Sequence, residues 1–342
     1  MDLDEWVALS VKQNASDLHL CSGHHPVLRI DGELRAEVTL PRLAAARLAQ
    51  WCARWLTAQQ QRRLQREGQL DCALTLADGC RLRAGLFQQR DGLSLALRVI
   101  PQSAPSLAEL QAPPVLAQLL ARPDGLVLAC GATGSGKSTT LAALVAELNR
   151  GRPRHIITLE DPIEFIHYSA ACLIQQREIG LHCQSFAGAL RAALREDPDI
   201  ILLGELRDSD SIRLALSAAE TGHLVLATLH TRSASQAVDR LVDVFPADEK
   251  AFIRSLLAAS LRAVVAQRLL RRPQGGRIAL FEILTATPAV SHLIREGKTH
   301  QLPGLLQTGG LAGMQTFEQS YRQRCAQGLL SADGDNEPSL RG

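Results

Sequence analysis

The sequence lacks any long apolar run. Nowhere in its 342 residues is there a stretch of the ~18 uninterrupted apolar residues that a membrane helix needs, so no direct membrane insertion is expected. No leader is expected either: Met1-Asp2-Leu3-Asp4-Glu5 is acidic and does not follow the basic, apolar, small-residue order of a signal peptide. These absences predict a cytoplasmic protein whose membrane association, if any, runs through a partner. Aromatic residues are scarce at 4%, against 46% hydrophobic residues overall. Leu, Ala, Ile and Val must therefore fill the core, and nothing pairs a basic groove with stacking aromatics. The net charge of +2 gives no global pull towards DNA, RNA or an anionic membrane, so no nucleic-acid partner is expected. None of the eight cysteines stands in a C-x-x-C pair, which argues against a zinc ribbon. They read as small buried hydrophobes.

What is present falls into two halves. Residues 1–100 read as a small α+β unit. Glu5–Gln13 has helical spacing, and Asp17–Leu20 and Val27–Ile30 read as strands, with a turn signal at Asp31-Gly32. Leu43–Leu64 reads as helix, and Leu70–Leu76, Cys80–Phe87 and Leu93–Ile100 as strands, with Asp78-Gly79 as a hairpin turn. Residues 101–123 carry Pro101, Pro105, Pro113, Pro114 and Pro123, a linker composition with one short helix over Pro114–Ala121. From residue 124 the pattern changes. Leu126–Ala129, Ile156–Leu159, Ile200–Leu203 and Leu224–Ala227 are continuous apolar runs, as in parallel strands covered on both faces. Helical segments separate them, the α/β alternation of a nucleotide-binding fold. From Asp248 to residue 330 the chain reads as mostly helical, and residues 331–342 as a patternless polar tail.

Chemistry concentrates in four places. Gly131-Ala132-Thr133-Gly134-Ser135-Gly136-Lys137-Ser138 fits G-x-x-x-x-G-K-[ST] at every required position. It follows an apolar strand and opens a helix over Thr139–Asn149. The glycines let backbone N–H groups close around phosphates, and the helix N-terminus adds partial positive charge. ATP and Mg²⁺ are the expected ligands, with Lys137 at the β/γ-phosphates, Thr139 next along the loop, and Ser138 on the metal. The Ile200–Leu203 run ends in Gly204-Glu205 where many such enzymes place Asp-Glu, so Glu205 is the candidate for polarising water. The remaining acidic chemistry falls to Glu160-Asp161-Pro162-Ile163-Glu164, with Glu160 assigned to the metal and Glu164 to catalysis. His223 and His230 flank one apolar run, too far apart to share a metal unaided; His230 is the candidate phosphate contact. Arg81, Arg83, Arg90 and Arg98 lie on strands of the first half, as a charged half-exposed sheet or as arginine fingers.

Together these blocks resemble the secretion ATPase superfamily of type II secretion and type IV pili, most closely its pilus-retraction, or twitching-motility, branch. The phosphate loop carries the resemblance. So do Ile157–His167 (an "Asp box"), Leu190–Asp208 (a Walker B block whose Gly-Glu is typical of the family) and Ala219–His223 with Thr228–Thr231 (a "His box"). Ala15–Leu20 resembles the start of the family's PAS-like domain. The resemblance implies an α/β protein, a RecA-like P-loop ATPase domain preceded by a PAS-like α+β domain. It also implies a homohexamer, an inner-membrane pilus platform protein as partner, and Arg83 and Arg98 reaching the nucleotide. One block departs from the retraction pattern: in Ala289–Lys298, Ser291 stands where an arginine is expected. That departure bears on cellular role, not on ATP hydrolysis, and it leaves room for an orphan paralogue. A type II secretion or DNA-uptake motor, and a nucleotide-binding regulator with little turnover, are the other readings.

Overall fold

The structure is a computed structural model, and it describes residues 2–13, 15–30, 32–76, 79–100 and 103–331. Asp31 and Asp78 of the two expected turns, Pro101 of the linker, and the tail beyond Ser331 lie outside the described residues. The chain divides into two units. The first comprises Met1–Ser103 and the short segment Pro162–Ile166; the second comprises Ala104–Asp161 and His167–Gly342.

The first unit contains α1 (Leu3–Lys12), β1 (Asp17–Cys21), β2 (Val27–Ile30), β3 (Glu33–Ala36), α2 (Ala45–Trp55), α3 (Ala58–Glu67), β4 (Gln69–Thr75), β5 (Arg81–Gln89) and β6 (Gly92–Ile100). Its sheet has the order β3-β2-β1-β6-β5-β4, with every neighbouring pair antiparallel. Burial alternates along β5, as expected of a sheet with one covered face. Leu18, Leu20, Leu82, Leu86, Leu95 and Leu97 point into a core closed by Trp6, Leu48 and Trp51. Two expectations are corrected here. The helix expected over Leu43–Leu64 is two helices, because Leu56 is extended and Thr57 starts α3. Thr57 and Gln60 form a reciprocal capping box, which offers the backbone donors of a new helix start the partners they otherwise lack. The strand β3, not anticipated, is exposed throughout and pairs only through its backbone.

The second unit contains α4 (Val115–Leu119), β7 (Gly125–Cys130), α5 (Lys137–Arg150), β8 (His155–Glu160), β9 (Leu173–Glu178), α6 (Phe186–Ala193), β10 (Ile200–Leu203), α7 (Ser209–Glu220), β11 (Leu224–Leu229), α8 (Ala234–Asp243), α9 (Lys250–Ser260), β12 (Leu261–Arg271), β13 (Arg277–Thr285), α10 (Pro288–Arg295), α11 (Leu302–Thr308) and α12 (Phe317–Ala326). The sheet order is β13-β12-β7-β11-β10-β8-β9. All neighbours are parallel except β12 and β13. β7 and β11 are buried at every position, as strands covered on both faces must be.

The expectation of a mostly helical chain beyond Asp248 is corrected by β12 and β13. Leu261–Arg271 carries Ala and Val that suit a helix or a buried strand equally, so periodicity alone does not decide. A Gly275-Gly276 turn decides it: both residues adopt left-handed backbone, at φ 87° and 74°, and the Arg272 N–H donates to the Gly276 carbonyl at 3.0 Å. Strand β9 was also unanticipated. Its Leu-Ile-Gln-Gln-Arg-Glu sequence is too polar to read as a buried run, and it forms the sheet's outer edge. Among the described residues no helix is long and apolar enough to cross a membrane.

Candidate functional site

Strand register places the chemistry of the second unit along one sheet edge. Cys130 on β7 pairs with Leu229 on β11, Ala227 with Leu203 on β10, and Leu203 with Leu159 on β8. Each strand therefore ends beside its neighbour, and the next residues out are Gly131, His230, Gly204-Glu205 and Glu160. The carboxyl ends of parallel strands are where open α/β sheets place ligands, because the loops that follow converge there.

The loop Gly131–Gly136 leads directly into α5, whose first residue is Lys137. Gly131, Gly134 and Gly136 all have positive φ, at 149°, 78° and 92°. A Cβ at Gly131 would lie 2.4 Å from the Gln267 carbonyl oxygen and 2.5 Å from the Ser135 hydroxyl; one at Gly136 would lie 2.7 Å from Gln267 Nε2. These contacts come from β12: Ala266 pairs with Cys130, so Gln267 lies beside Gly131, and its amide oxygen accepts from Thr140 Oγ at 2.8 Å. Lys137 is buried, and its Nζ donates to the carbonyls of Gly131 (2.8 Å) and Ala132 (3.0 Å). The Ser135 hydroxyl is buried and has no partner among the described residues. The loop is a cradle that a methyl group would fill, with a cation folded over it and an unsatisfied donor inside it. That donor set fits a phosphate group. Ala132, Thr133 and Gly134 form its exposed rim, and Ser138 and Thr139 follow at half-buried positions on the first turn of α5.

Glu205 is held on two sides. Arg207 Nε donates to one carboxylate oxygen at 2.7 Å, and His230 Nε2 lies 3.2 Å from the other. Thr228 Oγ donates to the Gly204 carbonyl, and Leu206 N–H to the Thr228 carbonyl at 3.1 Å, tying the loop after β10 to β11. Gly204 has a local reason to lack a side chain: a Cβ there would sit 3.3 Å from both Glu160 Cα and the Leu159 carbonyl. The closeness of the β8 and β10 ends thus leaves Glu160 as the neighbouring carboxylate. One Glu160 oxygen accepts from Thr158 Oγ at 2.6 Å and Gln176 Nε2 at 3.1 Å. The Glu160 carboxylate and the Ser138 hydroxyl are hard oxygen groups, the class of donor that Mg²⁺ prefers. Among the described residues no group of three or more His, Cys, Asp or Glu side chains is placed to hold a metal by itself.

The other expected site residues each have partners of their own. Glu164 belongs to the first unit. Its carboxylate accepts from Arg83 at 3.1 Å, and Arg81 donates to the carbonyls of Ile163 and Glu164, each at 2.9 Å. Pro162 interrupts the path after β8, so Glu164 does not continue the row that ends at Glu160. Arg83 and Arg98 are cross-strand partners on β5 and β6; Arg98 pairs with Asp17 at 2.7 Å. His223 is turned onto the Ala218 carbonyl at 3.1 Å, at the opposite end of β11 from His230. Reasoning from sequence missed two supports of this site. Arg207 was visible in the Glu205 block but had no stated role, and Gln267 lies over a hundred residues from the loop with no local signal.

The family profile described as type II/IV secretion system protein matches residues 2–333. The chain belongs to this family. As a member of the type II/IV secretion system protein family, it is an ATPase with an α/β fold. It is 58% identical over 330 residues to a protein of Escherichia coli strain K12 named uncharacterized protein YggR, covering 96% of this chain and 100% of that one. It is 46% identical over 337 residues to the type IV pilus retraction ATPase PilT of Pseudomonas aeruginosa, covering 98% of each. Among solved structures, the pilus retraction motor PilT with bound ADP superposes with a TM-score of 0.87 at 38% identity, over 97% of this chain and 95% of that one.

Proposed function

We propose that this chain is the subunit of a cytoplasmic homohexameric motor that couples ATP hydrolysis to type IV pilus retraction. The observation that carries the reading is Glu205 clamped by His230 and Arg207 on the strand edge that also bears the phosphate loop. The loop and Lys137 grip the β- and γ-phosphates. Glu205 orients a water and takes its proton as the water oxygen bonds to the γ-phosphorus; the bond from that phosphorus to the ADP oxygen breaks, leaving ADP and phosphate. Mg²⁺, held by Ser138 and Glu160, would neutralise charge on the phosphate oxygens. Arg83 and Arg98, on a first unit read as PAS-like, are cations for a γ-phosphate once they leave Glu164 and Asp17. Motion passes to an inner-membrane pilus platform protein, through which the motor meets the membrane; no nucleic acid takes part.

A Glu205→Gln protein tests the chemistry: ATP binding is retained and turnover lost. A wild-type protein that assembles, binds ATP and still does not hydrolyse it would sink the motor reading. Deleting the gene tests the role. More pili with no twitching supports retraction, and unchanged pili and motility would overturn it. Ser291 favours a second reading, an ATPase of the same family serving another transport machine. It lies beside the Asp124–Arg262 ion pair (2.6 Å) in a cavity of about 350 Å³ also lined by Arg122. Restored retraction by this chain in a host lacking its own retraction motor would exclude that reading.

A further inference from the structure

A larger cavity, about 610 Å³, opens in the second unit between the segment that begins at Ala104 and the last turn of α12. Its volume is in the range of small-molecule sites, roughly 300–1,000 Å³. Its walls are rich in amides, with Gln111, Gln315, Gln323 and Gln327, and no carboxylate lines it among the described residues. At its wall sits Arg324, only 4% exposed. Nη1 donates to the side-chain oxygens of Gln111 and Gln327, each at 3.1 Å, and Nη2 to the Gln111 carbonyl at 2.6 Å. Among the described residues Nε, which is buried, has no acceptor. Among the described residues every acceptor of Arg324 is therefore neutral. Arg272, whose Nε is likewise buried without a partner, adds positive charge nearby. Buried guanidinium groups are ordinarily matched by an anion, because their lost hydration must be replaced.

The clamp also acts on the backbone. Gln111 is one of two described non-glycine residues with positive φ, at 49°. Such a conformation persists where surrounding contacts over-determine it, and here Arg324 supplies two of those contacts. We infer that this cavity binds a small molecule bearing a phosphate or carboxylate group, which replaces the Gln111 and Gln327 oxygens on Arg324. Binding releases Gln111, which lies in the segment that joins the two units in the chain, so the ligand acts as a regulator of the motor.

The test is calorimetry on the full-length protein saturated with ADP and Mg²⁺, so that the phosphate loop is occupied. Inorganic phosphate and citrate are the two probes. At least one is expected to bind more tightly than about 1 mM. Phosphate alone assigns a phosphate-bearing ligand, and citrate alone a carboxylate-bearing one. Gln327→Glu places a carboxylate beside Arg324 Nη1; it should weaken binding at least about tenfold without lowering the melting temperature. Arg324→Gln should abolish binding. Heat from neither probe, or binding unchanged by Gln327→Glu, overturns the proposal. So does binding that appears only after Asp333→Asn, Asp335→Asn and Glu337→Gln are combined, since the chain's own carboxylates then supply the anion. None of these failures bears on ATP hydrolysis.

Discussion

In the first unit the charged groups lie along strand faces; in the second they lie just past strand ends. Arg83 and Arg98 project from the middle of β5 and β6 and are each met by a carboxylate. Gly131, His230, Glu205 and Glu160 all lie within two residues of the last residue of a buried strand. The difference follows from how each sheet is covered. An antiparallel sheet with one open face tolerates a charge at every second residue, whereas a parallel sheet covered on both faces admits polar groups only where the strands stop. The open face offers charges that can change partners, and the strand ends offer a fixed row.

The largest contrast is expected between carboxylates. Glu205→Gln should cut ATP turnover by roughly 10²–10⁴-fold with binding kept. Glu164→Gln in the full-length protein should leave ATP turnover close to that of the unsubstituted chain, because its carboxylate is engaged by Arg83; a loss as deep as that of Glu205→Gln would put Glu164 back into the chemistry. Steady-state ATPase rates on both proteins decide it. Next comes the cradle. Gly136→Ala forces a side chain into left-handed backbone against Gln267, so nucleotide affinity measured by calorimetry should fall at least about tenfold.

Acid stability offers a contrast of middle size, because each unit holds a histidine whose pKa burial depresses. His167 in the second unit is pushed down to about 4, and His19 in the first is lowered, with its Nε2 buried and unpartnered. Both rings are harder to protonate in the folded chain than in the unfolded one, which takes up protons near pH 6.5. Above that pH neither state is charged and nothing changes. As pH falls from 6.5 towards 4, the unfolded state binds more protons and stability drops. Melting temperatures should decline over that window, and His167→Gln should flatten the decline more than His19→Gln. The smallest effect is expected for the half-exposed Arg83–Glu164 pair. A double-mutant cycle in thermal or chemical unfolding should return less than about 1 kcal/mol of coupling, which leaves Arg83 able to exchange Glu164 for a phosphate.

Much of this was legible in the amino acids. The four apolar runs became β7, β8, β10 and β11, and the loop motif lies between β7 and α5 as its pattern requires. These features read well because burial on both faces demands unbroken hydrophobicity, and phosphate binding demands glycine at fixed offsets. Strands β9, β12 and β13 were missed for the converse reason. An edge strand need not be apolar, and an Ala/Val-rich run satisfies helix and strand alike until a turn selects one. The break at Leu56-Thr57 was present in the sequence as Thr-x-x-Gln but was masked by strong helical composition on both sides.

By itself, the sequence determined that a phosphate-loop motif spans Gly131–Ser138 and that Glu205 lies just past a buried strand, because these depend on neighbours a few residues away. Only the tertiary structure decided that Gln267 closes the cradle floor, that His230 and Arg207 hold Glu205, that Gly204 packs closely on the end of β8, and that Glu164 belongs with the first unit. Each of these depends on strand order and register. Residues from distant parts of the chain come within ångströms there, and no local pattern records which of them will meet.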